Sequence, residues 1–182
     1  MTSTVLPRIP AHADADLTPT DVVETIRKRR GGALLNLDRM LLNSPVYAVG
    51  WNGFLGAVRT GLSLDAKLRE LAICAVAILN RADYELRQHA PELLAAGGTQ
   101  AQLDELHDYP AALHNTTLFD AAERATLALT LEMTRNVQVS DATFAALQAV
   151  LPDPQQQVEL VGVVAAYNMV SRFLEALQVQ AE

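Results

Sequence analysis

From Thr20 onward, apolar residues recur at intervals of three and four, and no segment alternates apolar and polar for long enough to read as a strand. The pattern predicts a chain built of helices. Thr20 to Arg30 forms a first helix, stopped at Gly31-Gly32, and a short one follows around Leu34 to Leu42. Asn43-Ser44-Pro45 ends it and opens the next, with Ser44 as cap and Pro45 in the first turn, running to about Arg59. Gly61 punctuates, and Ser63 is the expected cap of a long helix to about Leu79. After a break at Asn80 to Ala82 comes a helix carrying Glu85 and His89, kinked near Pro91 and ended by Gly97-Gly98.

Thr99 with Gln102, and Asp120 with Glu123, match the pattern in which a cap and the side chain three residues on satisfy each other's backbone donors. They open helices to about Leu106 and Arg135, with a looser stretch from Tyr109 to Leu118 between. Ser140 to Val150 is helical, Leu151-Pro152-Asp153-Pro154 is a stop, and a last helix runs from Gln155 to about Leu177. Its expected apolar stripe is Val158, Leu160, Val161, Val164, Ala165, Met169, Phe173 and Leu177. The fold class is all-α: an aperiodic N-terminal arm over residues 1–18 and one helical domain over residues 19–182. The two serine-led helix pairs, one from Ser63 and one from Ser140, form a faint internal echo.

Composition narrows the function. Half of the 182 residues are apolar, yet only 5% are aromatic, so alanine and leucine supply the core and helices are favoured over sheets. The net charge of −7 argues against nucleic acid as a partner, and Arg27-Lys28-Arg29-Arg30 is better placed to offset the dipole at the end of the first helix. A single cysteine rules out a disulfide framework within the chain and fits a reducing cytoplasm. No signal-peptide pattern opens the sequence, and charged residues interrupt the apolar runs before membrane-spanning length. The four histidines (His12, His89, His107, His114) lack metal-ligand spacing, so no metal and no cofactor is expected.

The candidate chemistry lies in Asn80-Arg81-Ala82-Asp83-Tyr84-Glu85-Leu86-Arg87-Gln88-His89. Four residues apart on a helix, Glu85 and His89 leave the same face one turn apart, where a carboxylate raises the basicity of an imidazole and fixes its tautomer. The same spacing also describes an ordinary solvated surface pair. The preceding helix is apolar except for such residues as Arg69, Glu70 and Cys74. Cys74, among Ala72, Ile73, Ala75, Val76 and Ala77, reads as a small buried hydrophobe.

The stretch from Leu64 to Gly98 resembles the core of the carboxymuconolactone decarboxylase family, whose superfamily includes the peroxidases of the alkyl hydroperoxide reductase D type. Phe119 to Leu129 and Ala166 to Leu177 resemble its later helices. The peroxidase branch carries Glu-x11-Cys-x2-Cys-x3-His. On this chain those positions are Glu70, Ala82, Glu85 and His89, so the proton-handling frame is kept and both sulfurs are missing. The decarboxylase branch has a Glu-x3-His arrangement that Glu85 and His89 match.

The resemblance implies an AhpD-like helical bundle that assembles as a homo-oligomer, a trimer or hexamer. With it, Glu70, Glu85 and His89 read as acid–base residues. Arg69 and Arg81 are placed either to hold the carboxylate of a small carboxylated or lactone substrate or to form helix-surface salt bridges, and Tyr84 either closes the substrate pocket or packs in the core. Tyr167, Asn168 and Arg172 fit the final-helix pattern, lining either the pocket or a subunit interface. Trp51 and Tyr47 read as packing residues. Three functions follow: a cofactor-free lyase-like enzyme, an alkylhydroperoxidase-type antioxidant protein handicapped by the missing dithiol, and a catalytically silent assembly protein.

Overall fold

The computed structural model describes residues 6–182, so the first five residues of the expected arm lie outside the described residues. Among the described residues, ten α-helices and one short 3-10 turn (Asp14–Asp16) make up the regular structure, and there is no strand. The chain divides into two compact units, one reaching to Gly61 and including Phe173–Glu182, the other Leu62–Arg172.

The first unit holds α1 (Thr20–Arg30), α2 (Asn36–Leu41), α3 (Pro45–Thr60) and the last turn of α10 (Pro154–Leu177). Gly31 ends α1 at φ 79°, a left-handed conformation that glycine enters without steric cost, and its N–H bonds to Arg27 O. The basic run at the end of α1 does more than offset a dipole. Arg30 forks onto buried Asp38 with two bonds of 2.9 Å, while Arg29 reaches Asn52 on α3. Asp38 also accepts from Leu35 N–H at 2.9 Å, closing the first turn of α2. The described part of the arm is tied down within this unit, with Arg8 N–H on Leu177 O at 3.0 Å and Asn43 Nδ2 on Pro10 O at 3.0 Å. Trp51 is buried and packs on Phe173 at 5.0 Å between ring centroids, which bears out the packing role read for it, while Tyr47 lies against both rings but stays half exposed.

The second unit holds α4 (Ala66–Asn80), α5 (Asp83–Ala95), α6 (Gln100–Glu105), α7 (Tyr109–Ala112), α8 (Ala121–Asn136), α9 (Asp141–Val150) and α10 to Arg172. α4 packs against both α5 and α8. Its core gathers Leu71, Cys74, Leu79, Leu93, Leu106, Phe119 and Leu127. Burying each large aliphatic side chain there is worth about 1.5–3 kcal/mol. Both reciprocal caps are formed: Thr99 with Gln102, and Asp120 with Glu123, whose Oε2 accepts from Asp120 N–H at 2.8 Å.

One expected cap holds in position and one is corrected. Ser44 stands at the N-cap of α3 with Pro45 in the first turn, though its side chain makes no capping bond, and α4 is capped not by Ser63 but by Asp65, whose carboxylate accepts from Lys67 and Leu68 N–H. A carboxylate is the stronger acceptor at a helix N-terminus, and Ser63 instead donates to Glu159 on α10 at 3.0 Å. The serine-led echo therefore fails at its first member. The face of α10 is also corrected, since Val158 and Ala165 are exposed while Leu160, Val163, Val164, Tyr167, Val170 and Leu174 are buried. By length and composition α10 could cross a membrane, against the expectation that no run reaches that length. Its buried stripe and its side-chain bonds to α4 and α8 are those of a core helix.

Candidate functional site

α4 and α5 are joined by a two-residue corner, Arg81-Ala82. Arg81 takes the left-handed conformation at φ 57°, and Ala82 N–H returns to Ala77 O at 2.8 Å. That folds α5 back along α4 and brings the middle of α4, with Glu70, against the first turns of α5, which carry Glu85 and His89. All three of these side chains are buried.

His89 Nδ1 lies 2.7 Å from Glu70 Oε2, and His89 Nε2 lies 3.7 Å from Glu85 Oε2. The first is a short hydrogen bond; the second is an ion-pair distance beyond hydrogen-bond length. Arg69 Nε donates to the other Glu70 oxygen at 3.0 Å. The four groups form a line, guanidinium to carboxylate to imidazole to carboxylate, in which two adjacent helices supply every member.

Electrostatics orders that line. Burial pushes the Glu70 carboxyl up, but hydrogen bonds and charge from His89, and then from Arg69, outweigh it and hold Glu70 below the ordinary carboxylate value. An ionised Glu70 only accepts, so Nδ1 carries a proton and Nε2 is the nitrogen turned toward Glu85. Cys74 behaves oppositely. Burial first, then the charges of Glu70 and Glu85, push its thiol up to about 12.

The structure thus brings Glu70, Glu85 and His89 together, with Arg69 touching the cluster through Glu70. Tyr84 is buried on α5. Arg81 is not part of the cluster, because it is exposed at the corner where its backbone caps α4. Asn168 bridges elsewhere, accepting from Asn80 Nδ2 and donating to Thr134 Oγ1, both at 3.0 Å, while Arg172 donates to Asn168 O at 2.9 Å. Tyr167 is the site neighbour that the sequence reading left undecided. Its ring stands edge-to-face with His89, centroids 4.9 Å apart and planes at 86°. The Ala166-to-Leu177 resemblance was the one signal for it, since no local spacing links α10 to α5.

Residues 45–132 match the carboxymuconolactone decarboxylase family. No curated protein matches the chain in sequence. Among solved structures, a peroxidase-related protein from Silicibacter sp. TM1040 superposes with a TM-score of 0.79 at 20% identity, over 99% of this chain and 96% of that one. An alkylhydroperoxidase AhpD core protein from Ralstonia eutropha JMP134, also described as peroxidase-related, gives 0.79 at 18% identity, over 99% and 94%. A cysteine-to-alanine variant of the debrominase Bmp8, in complex with 2,3,4-tribromopyrrole, gives 0.75 at 16% identity, over 100% and 93%. At such identities the likeness is one of fold. Residues 45–132 thus carry the carboxymuconolactone decarboxylase family match, and the whole chain takes the all-α AhpD-like fold, with a single cysteine and no Cys-x-x-Cys.

Proposed function

We propose that this chain is a cofactor-free enzyme that acts on a small molecule by proton transfer at Nε2 of His89. The observation that carries the proposal is the buried 2.7 Å bond between Glu70 and His89, in a cluster where alanine and glutamate stand at the superfamily's two sulfur positions. Glu70, braced by Arg69, holds the imidazole by Nδ1 and stabilises the imidazolium formed when Nε2 takes a proton. Glu85 exchanges that proton with Nε2. On a lactone acid this pair would return the proton to carbon after carbon dioxide leaves, Arg69 and Tyr84 flanking the substrate. The same proposal includes a cytoplasmic homo-oligomer of three or six copies.

Hydroperoxide reduction is the second reading, and the comparisons lend it more support than they lend the decarboxylase. Relatives in fold are described as peroxidase-related, and one from Agrobacterium tumefaciens as a putative antioxidant defence protein. Here it would need Cys74. The thiolate would attack the O–O bond, giving a sulfenic acid and an alkoxide that takes its proton from His89. Two equivalents of an external thiol would then return the thiol, releasing water and a disulfide. Burial of Cys74 and its raised pKa oppose that route.

The test is a panel of lactone acids and organic hydroperoxides, run with and without dithiothreitol on wild type, His89→Gln, Glu85→Gln and Cys74→Ser. Proton-transfer chemistry predicts turnover lost by about 10²-fold or more in His89→Gln and kept in Cys74→Ser. Peroxide consumption that depends on dithiothreitol and vanishes in Cys74→Ser would establish the thiol route instead. Full turnover of every substrate by folded His89→Gln would end the proposal.

A further inference from the structure

We propose that Tyr167 is a positioning residue for His89, fixing the plane of the imidazole and therefore the direction in which Nε2 points. The inference rests on His89 being the proton-carrying group.

A single strong hydrogen bond does not orient a ring. The bond from Nδ1 to Glu70 Oε2 holds the edge of the ring nearest the backbone at 2.7 Å, and small torsional motions about Cβ–Cγ still swing the far edge that carries Nε2. Glu85, at 3.7 Å from Nε2, lies beyond hydrogen-bond length and restrains that far edge little. The Tyr167 ring supplies the missing restraint. It stands nearly perpendicular to the imidazole at 4.9 Å between centroids, within the range for a favourable edge-to-face pair, and both residues are buried. Rotation of either ring from this arrangement meets the other.

The restraint works only if Tyr167 is itself fixed relative to Glu70, and the next residue along α10 achieves this. Asn80, at the end of α4, donates to Asn168 Oδ1 at 3.0 Å and to Ser171 Oγ at 2.7 Å. Asn168 in turn donates to Thr134 Oγ1 on α8 at 3.0 Å. α4 therefore carries the carboxylate that holds Nδ1 and also the amide that sets the register of α10. Glu70, Tyr167 and the imidazole between them share one frame, which α5 completes by delivering His89.

The experiment reads ring motion, not turnover. In protein labelled with 13C at the histidine ring, relaxation of the His89 ring C–H bonds gives an order parameter, assigned by its disappearance in His89→Gln. Wild type and Tyr167→Phe are expected near the rigid level of about 0.85, because the phenyl ring keeps the contact, while Tyr167→Leu is expected to fall toward about 0.6. A merely space-filling role would leave His89 rigid in Tyr167→Leu, and that result overturns the proposal. Loosening in Tyr167→Phe equal to that in Tyr167→Leu also overturns it, since the hydroxyl and not the ring would then be acting. Should Tyr167→Leu fail to fold, the wild type decides: cross-relaxation between Tyr167 and His89 ring protons is expected, and its absence refutes the contact. Loss of the proton-transfer reading would show as full turnover in His89→Gln, which leaves these ring measurements untouched.

Discussion

Replacing Glu70 with glutamine tests the charge at the centre of the line without changing its shape. The carboxylate accepts from His89 Nδ1 at 2.7 Å and from Arg69 Nε at 3.0 Å, and is 3% exposed. Bonds to a charged acceptor contribute about 1.5–3 kcal/mol each, against about 0.5–1.5 for neutral ones. Glutamine offers one acceptor oxygen, so one donor keeps a weaker bond and the other faces an NH2 group with nothing to accept its proton. The loss adds up to about 3 kcal/mol, in line with breaking other buried pairs. For a chain of this size that lowers Tm by about 6–12 °C.

The pH dependence gives the sharper check. The folded-state pKa of Glu70 lies below its ordinary value of 4.5, so its stabilisation is present in full above that value and is lost as pH falls through the folded pKa. Glutamine has no proton to gain. Urea unfolding of both proteins at pH 7, 4.5 and 3.5 should therefore show a gap that narrows only on the acid side. A gap at pH 7 under about 1 kcal/mol, or one that does not narrow in acid, would refute an ionised Glu70 as the anchor of His89.

Other consequences are independent of catalysis. Cys74 should stay unreactive toward a disulfide reagent such as dithionitrobenzoate in the native protein and react at the rate of unfolding, since the thiol is buried and its pKa is pushed up to about 12. A native thiol titrating within seconds would contradict this. Gly98→Ala should lower stability in urea by about 1–3 kcal/mol, because the added methyl would lie 2.6 Å from Leu93 Cγ and 2.8 Å from Leu93 O, closer than packing allows. Asp65→Ala should cost about 1 kcal/mol through loss of the α4 cap, measured by thermal unfolding. Ser63→Ala, which removes only an exposed bond to Glu159, should cost clearly less, and equal losses would return the cap to Ser63.

Local signals explain what could be read in advance. The reciprocal caps at Thr99 and Asp120, and the glycine stop after Arg30, involve residues within a turn of each other, so sequence alone places them. Ser63 and Asp65 compete within three positions, and the winner depended on Glu159, which α10 brings in from far along the chain. On α10 almost every stripe is apolar, so periodicity could not choose the buried one; Tyr167 and Asn168 chose it through their partners on other helices. In the site, Glu85 and His89 were legible from their spacing, and Glu70 from the family frame. Arg81 stands exposed at a left-handed corner and outside the cluster, a placement that helical spacing does not give. Tyr167 lies outside any local period.

The left-handed residue at the end of α4 has a consequence for how such a cluster can change. Holding a non-glycine side chain in that conformation costs about 1–2 kcal/mol, so glycine at 81 would relieve strain while giving the backbone more freedom. Adding or deleting a residue there would break the corner in which Ala82 N–H returns to Ala77 O, and the altered path of α5 would carry His89 away from Glu70. The geometry at this spot tolerates exchange of side chains far more readily than any change in the number of residues between the two helices.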